Sequence, residues 1–529
     1  MTYLLFPGRH LLMTSFQESY LLDLLEKKPE GASEPITHII FAVTSANQDN
    51  SRYNPISYTH RVLGIDRFCQ ELRQKHPFHY SIVPVPHYPP NDKFASRIIS
   101  QVKDAQDIDL TPYNTIVLTS TEPVGKLFEQ LGFSLVWAEY DRDKKIYHHP
   151  TPLDDLKRVM DSRGELDPLS QEQISASTLE LWKDRPIILK KANRLWHDPL
   201  LTDSGSLTET RNYSSYAYDM GNQDIINFKY AELKEFIKEG KIVDEGCADG
   251  QLLVLVARDF PDSDIIGVDI SSEFIARCQE RQRAGEFHET YIYFHQRNIL
   301  DPLFENGSID ITLCNSTTHE LWSYGEGESS LRSYLAKKYV QTRRGGRLVI
   351  RDVVGPKDKE NIVYLELNKE DGREELFSLD DPQLQEKLAG QSTYTRFLQF
   401  AKDYLADMRS SKRRGDDTKI SYEEVRLEGK DLIKLRLKDA CEFMTKKDYL
   451  NNWRSELNEE FAFWDFDEWT AALEQEGFTV LNGSHAYTNE WIVNHRYKGK
   501  IKLYELLEGK LQESEFPHTN MILVGEKNE

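Results

Sequence analysis

Basic side chains are in the minority in this 529-residue chain, and cysteine is scarce. Lys and Arg number 66 against 87 Asp and Glu, for a formal charge of −21 at pH 7. A field of that sign excludes a general polyanion binder, so nucleic acid is not expected as a partner. The main basic cluster, Arg409 with Lys412, Arg413 and Arg414, reads as a solvated loop. Cys69, Cys247, Cys278, Cys314 and Cys441 lack disulfide or metal-ligand spacing, which fits a reducing cytoplasm. No apolar run approaches the roughly 18 residues of a membrane helix, and the first residues do not read as a signal peptide. A soluble cytoplasmic protein is therefore expected, with no membrane partner. No internal repeat or low-complexity tract stands out, and the length predicts about two to four domains.

What is present is organised around Lys241–Ser271, KIVDEGCADGQLLVLVARDFPDSDIIGVDIS. A short apolar run ends at Asp244, and the glycine turn Gly246-Cys247-Ala248-Asp249-Gly250 follows. An apolar helix from Gln251 to about Phe260 leads to a second apolar run, Ile265 to Val268, that ends at Asp269. Strand, glycine turn, helix, strand and acid make a βαβ nucleotide site. Small residues let the backbone approach a ligand, helix N–H groups face an anion, and the acid suits two ribose hydroxyls. Tyr291 to Phe294, Ser308 to Asn315 and Gly345 to Asp352 continue as strands, the last entered through a double-glycine turn.

This succession resembles the class I S-adenosylmethionine-dependent methyltransferases. The resemblance rests on Asp244-x-Gly246-Cys247-x-x-Gly250, on Asp269 as ribose acid, on Asn298 as adenine contact and on GGRLVIRD as the late strand. Ala248 stands where the family usually has glycine. The resemblance implies S-adenosylmethionine as cofactor, held by Asp244, Gly246, Cys247, Gly250, Asp269, Asn298 and Asn315. It covers 241–352 closely and the end of the chain loosely, where Phe478 to Leu481 and Asn520 to Gly525 fit the closing antiparallel pair. Between them lies a charged segment, about 357–460, that reads as a helical lid over the substrate, including helices at Tyr394 to Met408 and Asp431 to Met444.

Methyl transfer is an in-line displacement, so the protein aligns the acceptor and takes its proton. The loop after the fourth strand, Asn315 to Leu321, supplies His319 as a base with an ordinary pKa near 6.5 and Glu320 to orient it. Asp352 is the second catalytic candidate. Tyr487, Asn489, Trp491 and Arg496, with Tyr216 of the aromatic run Tyr213 to Tyr218, form a polar and aromatic set suited to a planar substrate. His319, Glu320, His485 and His495 lack the helical spacing of metal ligands, so no metal is expected.

The first third alternates strands (Tyr3 to Phe6, Ile36 to Val43, Tyr80 to Val85, Thr115 to Leu118) with helices, which predicts a second parallel sheet. Phe6-x-Gly8-Arg9, Asn54-Pro55-Ile56-Ser57-x-x-x-Arg61, Ile82 to Pro86 and Gly125 to Phe133 resemble the nicotinamide-mononucleotide adenylyltransferases of the nucleotidylyltransferase superfamily. Gly8, Arg9, His10, Asn54 and Arg61 are then candidates for a nucleotide ligand. The family's phosphate-binding His/Thr-x-Gly-His is Thr14-Ser15-Phe16-Gln17 here, and Asp154 and Asp155 oppose a polyphosphate. A catalytically degenerate scaffold is expected.

The expected organisation is α/β with two Rossmann-like domains: nucleotidylyltransferase-like 1–166, an aromatic connector 167–227 covering the cofactor, and a methyltransferase domain 228–529 with a helical insertion. The expected function is methylation of a small, nucleotide-like acceptor. A bifunctional nucleotidylyl- and methyltransferase and a methyltransferase-fold binding module are the alternatives.

Overall fold

The computed structural model of the chain describes residues 2–29, 31–32, 34–49, 51–88, 91–198, 201–203, 223–288, 290–301, 303–411 and 414–528. It divides into two compact units, Met1–Ser206 and Leu207–Glu529. Among the described residues no helix is long and apolar enough to cross a membrane.

In the first unit, β1 (Thr2–Gly8), β2 (Ile36–Val43), β3 (His79–Pro84), β4 (Thr115–Thr119) and β5 (Ser134–Trp137) form a parallel sheet in the order β3-β2-β1-β4-β5. Neighbouring β1 residues bury opposite ways, Leu4 and Phe6 in one core and Leu5 in the other. A strand covered by helices on both faces has this pattern. A short hairpin, β6 (Tyr140–Asp141) and β7 (Ile146–Tyr147), follows. Helices Pro168–Gln173, Ala176–Asp184 and Ile187–His197, expected in a connector, pack with this unit instead. Leu181, Trp182, Ile188 and Ala192 close a third core over Leu11, Leu12 and Ile56.

The second unit is built on β8 (Lys241–Glu245), β9 (Asp264–Asp269), β10 (Ile292–Gln296), β11 (Ile309–Asn315) and β12 (Thr342–Val353), all parallel. The sheet order is β10-β9-β8-β11-β12-β20-β16. β20 (Asn520–Glu526) runs antiparallel to β12, and β16 (Thr479–Val480) pairs with it on its other side. β17 (His485–Tyr487) also pairs with β20. The order reverses between β8 and β11, and ligands bind at the strand ends beside such a switch point. β12 starts three residues before Gly345, so the double glycine lies within the strand rather than at its entry.

The insertion is not helical throughout. β13 (Ile362–Leu367), β14 (Tyr422–Leu427), β15 (Lys430–Arg436), β18 (Ile501–Leu507) and β19 (Lys510–Glu513) form an antiparallel sheet in the order β14-β15-β13-β18-β19. The helix expected over Asp431 to Met444 is the strand β15 followed by helix Leu437–Lys446. Burial does not alternate along these strands: β14 is exposed or half-exposed throughout and β13 buries Val363, Tyr364 and Leu365 in a row, so the period-2 signal is missing. Both hairpins turn on the same four residues, Leu427-Glu428-Gly429-Lys430 and Leu507-Glu508-Gly509-Lys510. Positive φ at Glu428, Gly429, Glu508 and Gly509 fits a two-residue type I′ loop. Arg414, expected in a solvated loop, donates to Glu460 at 2.8 Å and to the carbonyls of Trp322 and Ser323. Lys412 and Arg413 lie outside the described residues.

Candidate active site

The glycine turn connects β8 to helix Gln251–Asp259, and its backbone takes positive φ at Gly246 (+80°), Ala248 (+46°) and Gly250 (+81°). A side chain at Gly246 would collide with Thr317, its Cβ 2.8 Å from Thr317 Cγ2. The loop after β11 therefore lies directly on the turn. Gly246 and Cys247 donate their N–H groups to the Val268 carbonyl at 2.8 and 3.1 Å, folding the turn over the end of β9. There the Asp269 carboxylate accepts the Ala248 N–H at 3.0 Å and the Ser271 N–H at 2.8 Å. Asn298 Oδ1 accepts the Leu300 N–H at 2.9 Å, fixing the loop after β10.

Asp244 and Asn315 end neighbouring strands, β8 and β11, and their Oδ1 atoms are buried without a hydrogen-bond partner among the described residues. Burial, then the nearby Asp269 and Glu245, pushes the Asp244 carboxyl up to about 7. With Asp269 these groups make an acceptor-rich, anion-crowded site. S-adenosylmethionine brings an ammonium, two ribose hydroxyls and a sulfonium, the donors and positive charge such a site lacks. The residues fit it.

His319, expected as a base, is locked in place. Its Nδ1 lies 2.6 Å from Asp352 Oδ1 and its Nε2 3.3 Å from Glu459 Oε2, with the Phe461 ring edge-on at 4.9 Å. Burial opposes the imidazolium, but the Asp352 and Glu459 carboxylates overcome it and hold the pKa well above 6.5. An imidazolium between two carboxylates has no lone pair to offer, which corrects the reading of His319 as base. Asp352 is fully buried. Its Oδ2 accepts the backbone N–H groups of Thr317, Thr318 and His319 at 3.1, 2.7 and 3.3 Å, capping helix Thr318–Tyr324. Burial works against the Asp352 carboxylate too, yet His319 and these donors keep it below the usual range. Glu320, on the same helix, is half-buried.

Sequence reasoning missed Lys229, Arg351 and Glu459. Lys229, on helix Gln223–Lys234, is only 7% exposed and reaches Ser316 Oγ at 3.4 Å. Arg351 on β12 donates to Glu232 at 2.6 Å and to the Tyr487 hydroxyl at 3.3 Å. The other described substrate candidates, Asn489, Trp491 and Arg496, follow β17 in the chain. Asn489 caps helix Glu490–Ile492, accepting the Trp491 N–H at 2.9 Å. The exposed Trp491 stacks on His495, and Arg496 lies over the Tyr449 ring. Tyr216 lies outside the described residues. Among those residues no group of His, Cys, Asp and Glu is placed to hold a metal.

In the first unit, His10 is buried, its Nε2 3.0 Å from the Phe6 carbonyl and its ring packed edge-on to Phe6 and Phe41. Burial lowers its pKa to about 4. It is a core residue rather than a phosphate contact. Arg61 donates to the carbonyls of Arg9, Thr44 and Ser45, and Arg9 to that of Tyr53, so both guanidiniums tie loops together. Asn54 Nδ2 reaches Gln48 at 3.4 Å, and the space in front of Gly8 is taken by the His10 ring. Gln17 caps helix Ser15–Glu26 with Thr14 and donates to the buried Glu139 at 2.8 Å.

Residues 237–402 match a family model described as a methyltransferase domain. No curated protein matches the chain. Solved structures it resembles include a Bacillus halodurans protein assigned as a methyltransferase (12% identity, 57% of this chain and 99% of that one, TM-score 0.30). Another is geranyl diphosphate C-methyltransferase from Streptomyces coelicolor with Mg2+, geranyl diphosphate and S-adenosyl-L-homocysteine (10%, 59% and 82%, TM-score 0.30). A third is a methyltransferase from Methanosarcina mazei (14%, 56% and 97%, TM-score 0.27). The family match covers the glycine turn, the Asp269 strand end and the loop after β11. Residues 237–402, within the second unit, thus make up a methyltransferase domain.

Proposed function

We propose that the protein methylates a small molecule of nucleotide-like character, bound between the loop after β11 and the insertion. The observation that carries the site is the pair of unpartnered acceptors, Asp244 Oδ1 and Asn315 Oδ1, beside the switch point of the sheet. The cofactor, when bound, supplies a methyl group on a positively charged sulfur. Asp269 would accept from the ribose hydroxyls of S-adenosylmethionine, and Asp244 and Asn315 from its ammonium. The His319–Asp352 pair holds the loop against the turn, and Glu459 ties that loop to the insertion. Val353, Met444, Phe461, Tyr497 and Thr519 line a narrow cleft beside it, with room in the closed protein for about one water.

The nucleotide character rests on our reading of the first unit as a nucleotidylyltransferase-like scaffold that has lost catalysis. Where that family places a phosphate-binding imidazole, Gln17 donates to the buried carboxylate of Glu139, which repels a polyphosphate. Cells expressing the protein should accumulate a metabolite heavier by one methylene, and no such species with S-adenosylmethionine turnover absent would overturn the reading. Pyrophosphate release from ATP with nicotinamide mononucleotide would instead favour the bifunctional alternative.

A further inference from the structure

Basic side chains are outnumbered in this chain, yet one place in the second unit gathers them. Arg396 on helix Thr393–Asp403 and Lys447, just past helix Leu437–Lys446, both reach Asp448. Arg396 Nη1 lies 3.2 Å from its Oδ1 and Lys447 Nζ 2.6 Å from its Oδ2. Arg396 is 8% exposed and Lys447 fully buried. Arg496 lies over the Tyr449 ring, 4.8 Å from its centroid, and Lys500 stands just before β18. Among the described residues neither Arg496 nor Lys500 forms an ion pair, and the buried Arg396 Nε has no acceptor.

The carboxylates bearing on these cations are Asp448 and, from the loop after β13, Asp371, which already accepts the Thr393 N–H at 2.8 Å and the Thr393 hydroxyl. Four cations therefore face two carboxylates, in a chain whose formal charge is −21. Burial lowers the Lys447 ammonium to about 8; Asp448 opposes the fall, and Lys500 and Arg396 add to it. Buried cations short of counter-charge are costly unless a ligand supplies it. Asp448, Tyr449, Arg496 and Lys500 are half-buried, so the cluster opens to solvent on their side. It also adjoins the cleft beside the methyl-transfer loop. Tyr497, next to Arg496, lines that cleft with Cys441 and Met444 of the helix leading to Lys447, and with Phe461, whose ring meets His319.

We infer that Arg496 and Lys500, backed by Arg396 and Lys447, bind a phosphate group, and that this phosphate belongs to the methyl acceptor. The inference rests on the proposed methylation at the loop after β11. A phosphate dianion restores the missing counter-charge. The Arg496 guanidinium offers paired N–H donors that match two phosphate oxygens, and Lys500 adds a point charge. Arg396 and Lys447, tied to Asp448, act from beneath through their field rather than by contact. With the phosphate anchored beside Tyr497, the rest of the acceptor is directed towards Phe461 and the loop. Acceptors that lack the phosphate are then poor substrates.

The test uses the full chain and two readouts. In the first, the melting temperature of wild type should rise saturably with inorganic phosphate, set against chloride at equal ionic strength. The double variant Arg496→Gln, Lys500→Gln, altered at two half-buried positions, should bind phosphate at least about tenfold more weakly, and Arg496→Lys should keep part of the affinity. No response in wild type, or the same response in the double variant, overturns the site. In the second, labelled S-adenosylmethionine is supplied with a small-molecule extract as acceptor source. Treating the extract with a phosphatase, and removing the phosphate released, should abolish most of the labelled product. Undiminished transfer would mean that the site takes free phosphate and overturns the assignment to the acceptor. The double variant should lose transfer at least about tenfold from dilute extract and much less from concentrated extract. An equal loss from both would mean a structural defect and overturns the role in acceptor binding. If wild type binds phosphate but transfers no methyl to any extract, the proposed function fails and the acceptor assignment with it, while the phosphate site stands.

Discussion

His319 Nδ1 sits 2.6 Å from Asp352 Oδ1, and the second ring nitrogen faces Glu459 at 3.3 Å. The folded pKa lies above the unfolded value near 6.5, so the pair's stabilisation is fully present below that value. It is lost only as pH rises through that raised folded pKa. Nitrogen NMR of the imidazole at pH 7.5 should therefore show both ring nitrogens protonated. His319→Gln should cost about 3–5 kcal/mol in chemical denaturation, because two buried carboxylates lose their counter-charge. A loss below about 1 kcal/mol would mean the pair is not formed.

The glycine turn gives opposite expectations at two neighbouring positions. Ala248 holds φ +46°, where an L-residue costs about 1–2 kcal/mol, so Ala248→Gly should be neutral or stabilise by about 1 kcal/mol. Gly246→Ala combines φ +80° with a collision on Thr317 and should lose cofactor binding altogether. Denaturant midpoints and calorimetry on the two variants check this, and a well-tolerated Gly246→Ala would refute the placement of the loop.

Cofactor binding should be linked to protons through Asp244. Its carboxyl titrates near 7 in the free protein and must be ionised to face an ammonium. Affinity for S-adenosylhomocysteine should therefore rise with pH between 5 and 7, by at most about tenfold per unit, and level off above. Calorimetry in buffers of different ionisation enthalpy should record proton release below pH 7. Asp244→Asn should abolish the dependence.

Much of the methyltransferase sheet was legible in the chain. Ile265–Val268 and Ile309–Asn315 are apolar runs buried on both faces, and Gly246 and Gly250 punctuate the turn between strand and helix. The closing strand β20 was readable for the same reason. The antiparallel sheet in the insertion was not, because β14 (Tyr422–Leu427) is half-exposed and charged. One signal was available: Leu-Glu-Gly-Lys occurs twice, at 427–430 and 507–510, and marks both hairpins. The charge state of His319 depends on Glu459, far along the chain, and no local pattern announces it. Lys229 on a helix ordinarily reads as a solvated lysine, and His10 beside a strand end as a ligand contact. Only tertiary packing buries them.

Cofactor binding turns on Asp269 as the ribose acid at the end of β9. Titration of the full chain with S-adenosylhomocysteine by calorimetry, wild type against Asp269→Ala, measures this directly. The variant loses charge-assisted hydrogen bonds of about 1.5–3 kcal/mol each, with a further loss where Ala248 and Ser271 release the turn. Wild type should bind saturably, and the variant at least about tenfold more weakly. Equal affinities for the two proteins, or no binding to wild type, would contradict that role.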